Sequence, residues 1–115
     1  MAGFGIRAFE WREVLVVVVQ GDLEVEGATT LGRQLARFQR TSTVFVDLWD
    51  VSHLDPLAIR VLAAAKLRAE ATGWEFALIA PAGGLAAQEI EAAGFEGVLP
   101  TYATKHDAVA ALRDA

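Results

Sequence analysis

The chain has 115 residues, a formal net charge of −5, 54% hydrophobic residues and no cysteine. That length holds one domain with a real core, and the composition excludes a disordered chain. The missing cysteines exclude disulfides and thiol catalysis, and the acidic balance argues against a phosphate-backbone partner, so no nucleic acid is expected. No apolar run is long enough to span a bilayer, Val14–Val19 being strand-sized. Met1 opens no signal-peptide pattern, so a cytoplasmic protein without direct membrane insertion is expected.

Phe4–Phe9 and Val14–Gln20 read as two strands, joined by a polar hairpin loop, Glu10–Glu13, around Trp11. Trp11 is expected to fold over the hairpin edge. Gly21-Asp22 ends the second strand, and Glu24 then precedes a helix, where acidic residues are favoured by the helix dipole. Ala28–Arg40 is predicted helical, with Leu31, Leu35 and Phe38 at the spacing of an inward stripe. Arg33, Arg37 and Arg40 form a basic row read as a solvated face.

Val44–Trp49 is short and apolar except for Asp47, the pattern of a strand covered on both faces. If odd residues share a face, Trp49 lies with Phe45 and Asp47. Asp55-Pro56 then starts a helix that runs to about Thr72. Aspartate is a preferred N-cap because its carboxylate accepts from free backbone N–H groups of the first turn. Proline suits the first helical position, where no N–H is needed and φ is already helical. Projected at about 100° per residue, Ala58, Val61, Leu62, Ala65 and Ala69 face the sheet. Leu57, Arg60, Ala64 and Leu67 face outward, an apolar stripe with one arginine that suits a protein contact.

Gly73 takes the C-cap position, and Trp74–Ala80 is the next strand. Pro81–Gly84 is a turn, Leu85–Ala93 a short helix ended by Gly94, and Gly97–Pro100 a short edge strand. Thr104 caps a last helix, Lys105–Arg113, with Ala108, Val109 and Leu112 inward. The expected order is ββαβαβαβα in one α/β domain, residues 1–115, with a central mixed sheet of about five strands and packed helices.

Chemistry-bearing motifs are few. His53 and His106 lie on separate elements without carboxylates at metal-ligand spacing, so no metal is expected. Gly83-Gly84 lacks the spacing and the Lys-Ser/Thr of a phosphate loop. No nucleophile–base pair stands out, so neither an enzyme nor a cofactor is expected.

The stretch Val44–Leu62, VFVDLWDVSHLDPLAIRVL, resembles the signature of the STAS domain, the family of bacterial anti-sigma factor antagonists. Asp47-Leu48, Val51, Leu54-Asp55, Ile59 and Leu62 match its scaffold positions. The closing pattern also matches, on Gly94, Phe95, Val98, Leu99, Pro100, Ala111 and Leu112. The chemical positions differ. Pro56 stands where the family commonly has a phosphorylated serine, Leu57 on a second Ser/Thr, and Ala58 on a glycine. Gly21–Glu24 resembles the family's Gly-Glu-Leu-Asp, with the two acids exchanged.

The resemblance implies a binding module that captures an anti-sigma factor with a histidine-kinase-like ATPase fold and frees a sigma factor. It places the partner contact on Glu24, Trp49, Ser52, His53, Asp55, Pro56, Leu57, Arg60 and Leu67. No phosphorylation is expected, because Pro56 has no hydroxyl. Trp49 is read either as an added apolar contact beside this site or as a strand-end aromatic packed under a loop. Two further readings remain: a non-switching STAS scaffold or regulatory subunit of a membrane transporter's ATPase, and a small-ligand sensor using a pocket near Trp49 and Asp55. A homodimer stays open as an assembly state.

Overall fold

A computed structural model describes residues 3–113. Five strands form one mixed sheet in the order β1-β2-β3-β4-β5. They are β1 (Phe4–Trp11), β2 (Val14–Leu23), β3 (Thr43–Leu54), β4 (Phe76–Ile79) and β5 (Thr101–Tyr102). β1 runs antiparallel to β2, and the other neighbours are parallel. Helices α1 (Val25–Phe38), α2 (Pro56–Thr72), α3 (Leu85–Ala92) and α4 (Lys105–Arg113) supply the crossovers and the closing element. No helix among the described residues is long and apolar enough to cross a membrane.

The two-residue period of the strands divides the core. Val17, Val19, Val44, Val46, Leu48 and Leu78 face α1, α2 and α3, meeting Leu31, Leu35, Leu62, Ala65 and Ile90. Val14, Val16, Val18, Phe45, Ala77 and Ile79 face α4, where Ala108 is buried and Val109 and Leu112 pack. The valine run of β2 is thus buried on both sides, as expected of a strand with helices on each face.

Several boundaries differ from the sequence reading. The hairpin loop is only Arg12-Glu13, both at positive φ (51° and 67°), while Glu10 and Trp11 continue β1. That is the two-residue turn whose twist matches paired strands. α1 starts at Val25, ahead of Ala28, and ends at Phe38. β4 is confined to Phe76–Ile79, because Gly73 (φ 81°) turns the chain and leaves Trp74 and Glu75 exposed. Gly97–Pro100 is not a strand. Its Val98 and Leu99 amides donate to Phe95 O in a turn that buries Leu99, and the edge pairing begins at Thr101.

α2 begins and ends where predicted. It buries a wider arc than the projection gave, adding Ile59 and Ala63, because α1 covers its flank. Val61 is half-buried against Gly32 of α1, where an added Cβ would lie 3.4 Å from Val61 Cγ1. The buried Gln39 ties the two helices: its Nε2 donates to Ala65 O at 2.7 Å, and its Oε1 accepts from Arg68 Nε at 3.2 Å.

Candidate functional site

The site is built where β3 runs into α2. Sequence reading ended the strand at Trp49, but β3 continues through irregular pairing to Leu54. Register shifts between Val18 and Gln20 and between Gly21 and Asp22 let it follow β2 to its end, with Asp22 opposite His53 and Leu23 opposite Leu54. Such bulges re-aim side chains at the end of a sheet. Gly21 is required here. Its φ is 84°, and a Cβ would collide with Gly3 O.

Asp55 closes the turn. Its backbone N–H donates to Leu23 O at 2.9 Å, and its Oδ1 accepts from Leu57 N at 2.8 Å. The carboxylate therefore satisfies a first-turn donor of α2, and Pro56 follows at the first helical position. Ser52 Oγ donates to Asp22 Oδ1 at 2.6 Å, so the hydroxyl nearest Pro56 on the strand side is held by an acid. Glu24 is exposed before α1 and caps nothing with its side chain. With Asp22 and Glu26 it lines an acidic recess that also takes in Phe4.

The expected site residues fall into four groups. Glu24, Ser52, His53 and Pro56 are exposed around this turn, and Asp55 is half-buried within it. Arg60 and Leu67 continue from Pro56 along the outer side of α2, with Ala64 between them, and Leu67 is 62% exposed. Leu57 departs from the outward stripe. It is half-buried and packs against the core cluster shared by the sheet, α1 and α2.

Trp49 lies elsewhere. It is on the α4 face of the sheet, 51% exposed, with its indole Nε1 donating to Ala103 O at 3.0 Å. The recess beside it is lined by Trp11, Ile79 and the Ala103–His106 segment and does not reach Asp55. The recess at Trp49 and the turn at Asp55 are thus separate features among the described residues. His106 also belongs to that face, packed edge-on against Trp11 at 5.2 Å. It is thus separate from His53 on β3. A cleft of about 530 Å³ at the opposite end of the sheet, between the β1–β2 hairpin and α4, contains none of the expected residues.

Sequence reasoning missed Asp22 as a structural partner of Ser52. Its only trace was an acid beside a glycine at a strand end, a pattern that most often marks a turn.

The family model described as "Mlab, STAS domain" matches residues 9–100. The chain belongs to the STAS domain family. Solved structures give the same fold. An anti-sigma factor antagonist from Mycobacterium paratuberculosis is 24% identical, superimposes with a TM-score of 0.81, and is matched over 96% of this chain and 95% of that one. The anti-sigma factor antagonist SpoIIAA in its unphosphorylated form is 16% identical, with a TM-score of 0.73 and 98% of each chain covered. The Bacillus cell fate determinant SpoIIAA in its phosphorylated form is 17% identical, with a TM-score of 0.68, over 96% of this chain and all of that one. In this STAS chain α2 starts at Asp55, with Pro56 at the first helical position.

Proposed function

We infer that this STAS chain is a non-enzymatic, protein-binding regulator of the anti-sigma factor antagonist kind. Its partner would dock on the start and outer side of α2, with the acidic rim of Asp22 and Glu24 beside it. The observation that carries the reading is the exposed line Pro56, Arg60, Ala64 and Leu67 along one side of α2, opposite the side that buries Ala58, Leu62, Ala65 and Ala69. The suspected partner is an anti-sigma factor with a histidine-kinase-like ATPase fold, met in the cytoplasm, and the outcome would be transcription regulation by partner switching in a bacterium. Antagonists among the solved structures of this fold support that class of partner.

Control at the helix start would not be phosphorylation. Phosphoserine would add about −1.5 to −2 charges where a partner is desolvated, but Pro56 offers no hydroxyl. The same residue favours a second reading, a non-switching STAS subunit held on a transporter's ATPase.

Capture of the tagged chain's partner from extract of its own cells, followed by mass spectrometry, separates the two. A histidine-kinase-like ATPase supports the first reading and a transporter ATPase the second. The Arg60→Glu/Leu67→Asp double variant should lose either partner while keeping wild-type thermal unfolding. Undiminished capture by that variant would remove the α2 surface from consideration.

A further inference from the structure

The outer edge of β1 is the longest unpaired strand edge of the sheet, eight residues from Phe4 to Trp11. Its pairing with β2 is regular, without a register shift. The segment, FGIRAFEW, has no proline, no lysine and no bulge to protect it. Proteins ordinarily blunt such an edge, because a row of free N–H and C=O groups is a template for another strand.

The phase of these groups follows from one bond. Asp22 N donates to Gly3 O at 2.9 Å, so Gly3 and Asp22 are a bonded pair. Bonded and non-bonded pairs alternate along antiparallel strands. Gly5, Arg7, Phe9 and Trp11 therefore turn their backbone groups to β2, and Ile6, Ala8 and Glu10 turn theirs outward. Side chains alternate as well. Arg7 is opposite Val18 and Phe9 opposite Val16, and both valines belong to the α4 side of the core. Arg7 and Phe9 thus share the α4 face, where both are exposed, Phe9 at 40%.

We propose that two copies of this chain pair antiparallel through β1 about a two-fold axis at Ala8, forming one continuous sheet across the dimer. In this register Ala8 meets Ala8, Ile6 meets Glu10, and all the outward groups of those residues are bonded. Arg7 then lies opposite Phe9 of the other copy in the closely spaced, non-bonded position. The guanidinium meets the ring twice over, as the symmetry of an isologous interface requires. Register selects itself. Sliding two residues one way places Arg7 against Arg7, a like-charge pair. Sliding the other way places Ala8 against Glu10 and leaves the outward groups of Ile6 unpaired. Among the described residues Arg7 has no salt bridge that would compete, and Lys105 Nζ, 6.0 Å from the Phe9 ring centroid, is at the outer limit of a cation–π contact. α2 packs over β3 and β4, with β2 between it and β1. The dimer would therefore present two free α2 surfaces, one per copy.

Sedimentation of the full chain from about 1 µM to 1 mM should show a monomer–dimer equilibrium. Ala8→Pro removes an N–H that β2 does not use, so it should abolish the dimer while thermal unfolding of the monomer stays near wild type. Arg7→Ala should weaken dimerisation about 5- to 30-fold through loss of two cation–π pairs. Amide exchange of the wild-type chain gives a reading independent of any variant. Raising the concentration should slow exchange at Ile6, Ala8 and Glu10 and leave Gly5 and Arg7 unchanged. A monomer at all concentrations overturns the proposal. So does a dimer that both variants leave intact, or one that protects other amides.

Discussion

Ser52 Oγ and Asp22 Oδ1 are 2.6 Å apart, a hydrogen bond that ties the end of β3 to the end of β2. It occupies the hydroxyl nearest Pro56 on the strand side of the turn. A phosphate on Ser52 would stand against the Asp22 carboxylate, a like-charge contact. Incubation with a cognate kinase and ATP should leave both Ser52 and the α2 start without phosphate by mass spectrometry. Stoichiometric phosphoserine at Ser52 would overturn the view of a site that is not switched.

Asp55 holds the start of α2 through Leu57 N. Asp55→Ala should cost about 0.5–2 kcal/mol in urea unfolding, whereas Asp55→Asn, which can still cap, should cost less. Equal losses for the two would mean that the carboxylate acts through its charge and not as a cap.

Leu57 and Leu67 should part company. Leu57 is half-buried on the core, and Leu67 is mostly exposed. Leu57→Asp should lower stability by about 1–3 kcal/mol, from burial of an uncompensated polar group. Leu67→Asp should change it by no more than about 0.5 kcal/mol. Chemical denaturation of both variants checks this, and similar losses would contradict the burial described.

Leu62 is fully buried between α2 and the sheet. Leu62→Ala should cost about 2–5 kcal/mol, the range for a core leucine that leaves a cavity. A smaller loss would show that the layer collapses around the gap.

Glu13 sits in the hairpin turn at φ 67°, in the left-handed region that a side chain disfavours. Glu13→Gly should raise stability by about 0.5–1 kcal/mol, relieving that strain at some cost in unfolded-state entropy. Gly21 is the converse, since its φ of 84° coincides with the approach of Gly3 O. Gly21→Ala should cost at least about 1–2 kcal/mol. Both values are readable from denaturant midpoints.

Local chemistry written in consecutive residues was legible in the sequence. Asp55-Pro56 and Gly73 bound α2, because a cap carboxylate, a preset φ and a left-handed glycine act within one turn of helix. Val14–Gln20 read as a strand and Val44–Trp49 as a strand covered on both faces, and the burial of Val16–Val19 and Val44–Val46 fits, because period and apolarity need no partner to be seen. Thr104 likewise caps α4, accepting from Asp107 N at 3.0 Å. Tertiary structure decided the rest. β3 runs past Trp49 only because the end of β2 is there to pair with it, a long-range register that no local preference encodes. Alternation in the sequence already put Trp49 with Phe45, but that this face is covered by α4 and offers Ala103 O to its indole was decided by the fold. Leu57 packs against the core although the helical projection set it outward, because the neighbours that cover α2, α1 above all, are not specified by its own periodicity. The bond between Ser52 and Asp22 exists only once two distant strand ends lie side by side.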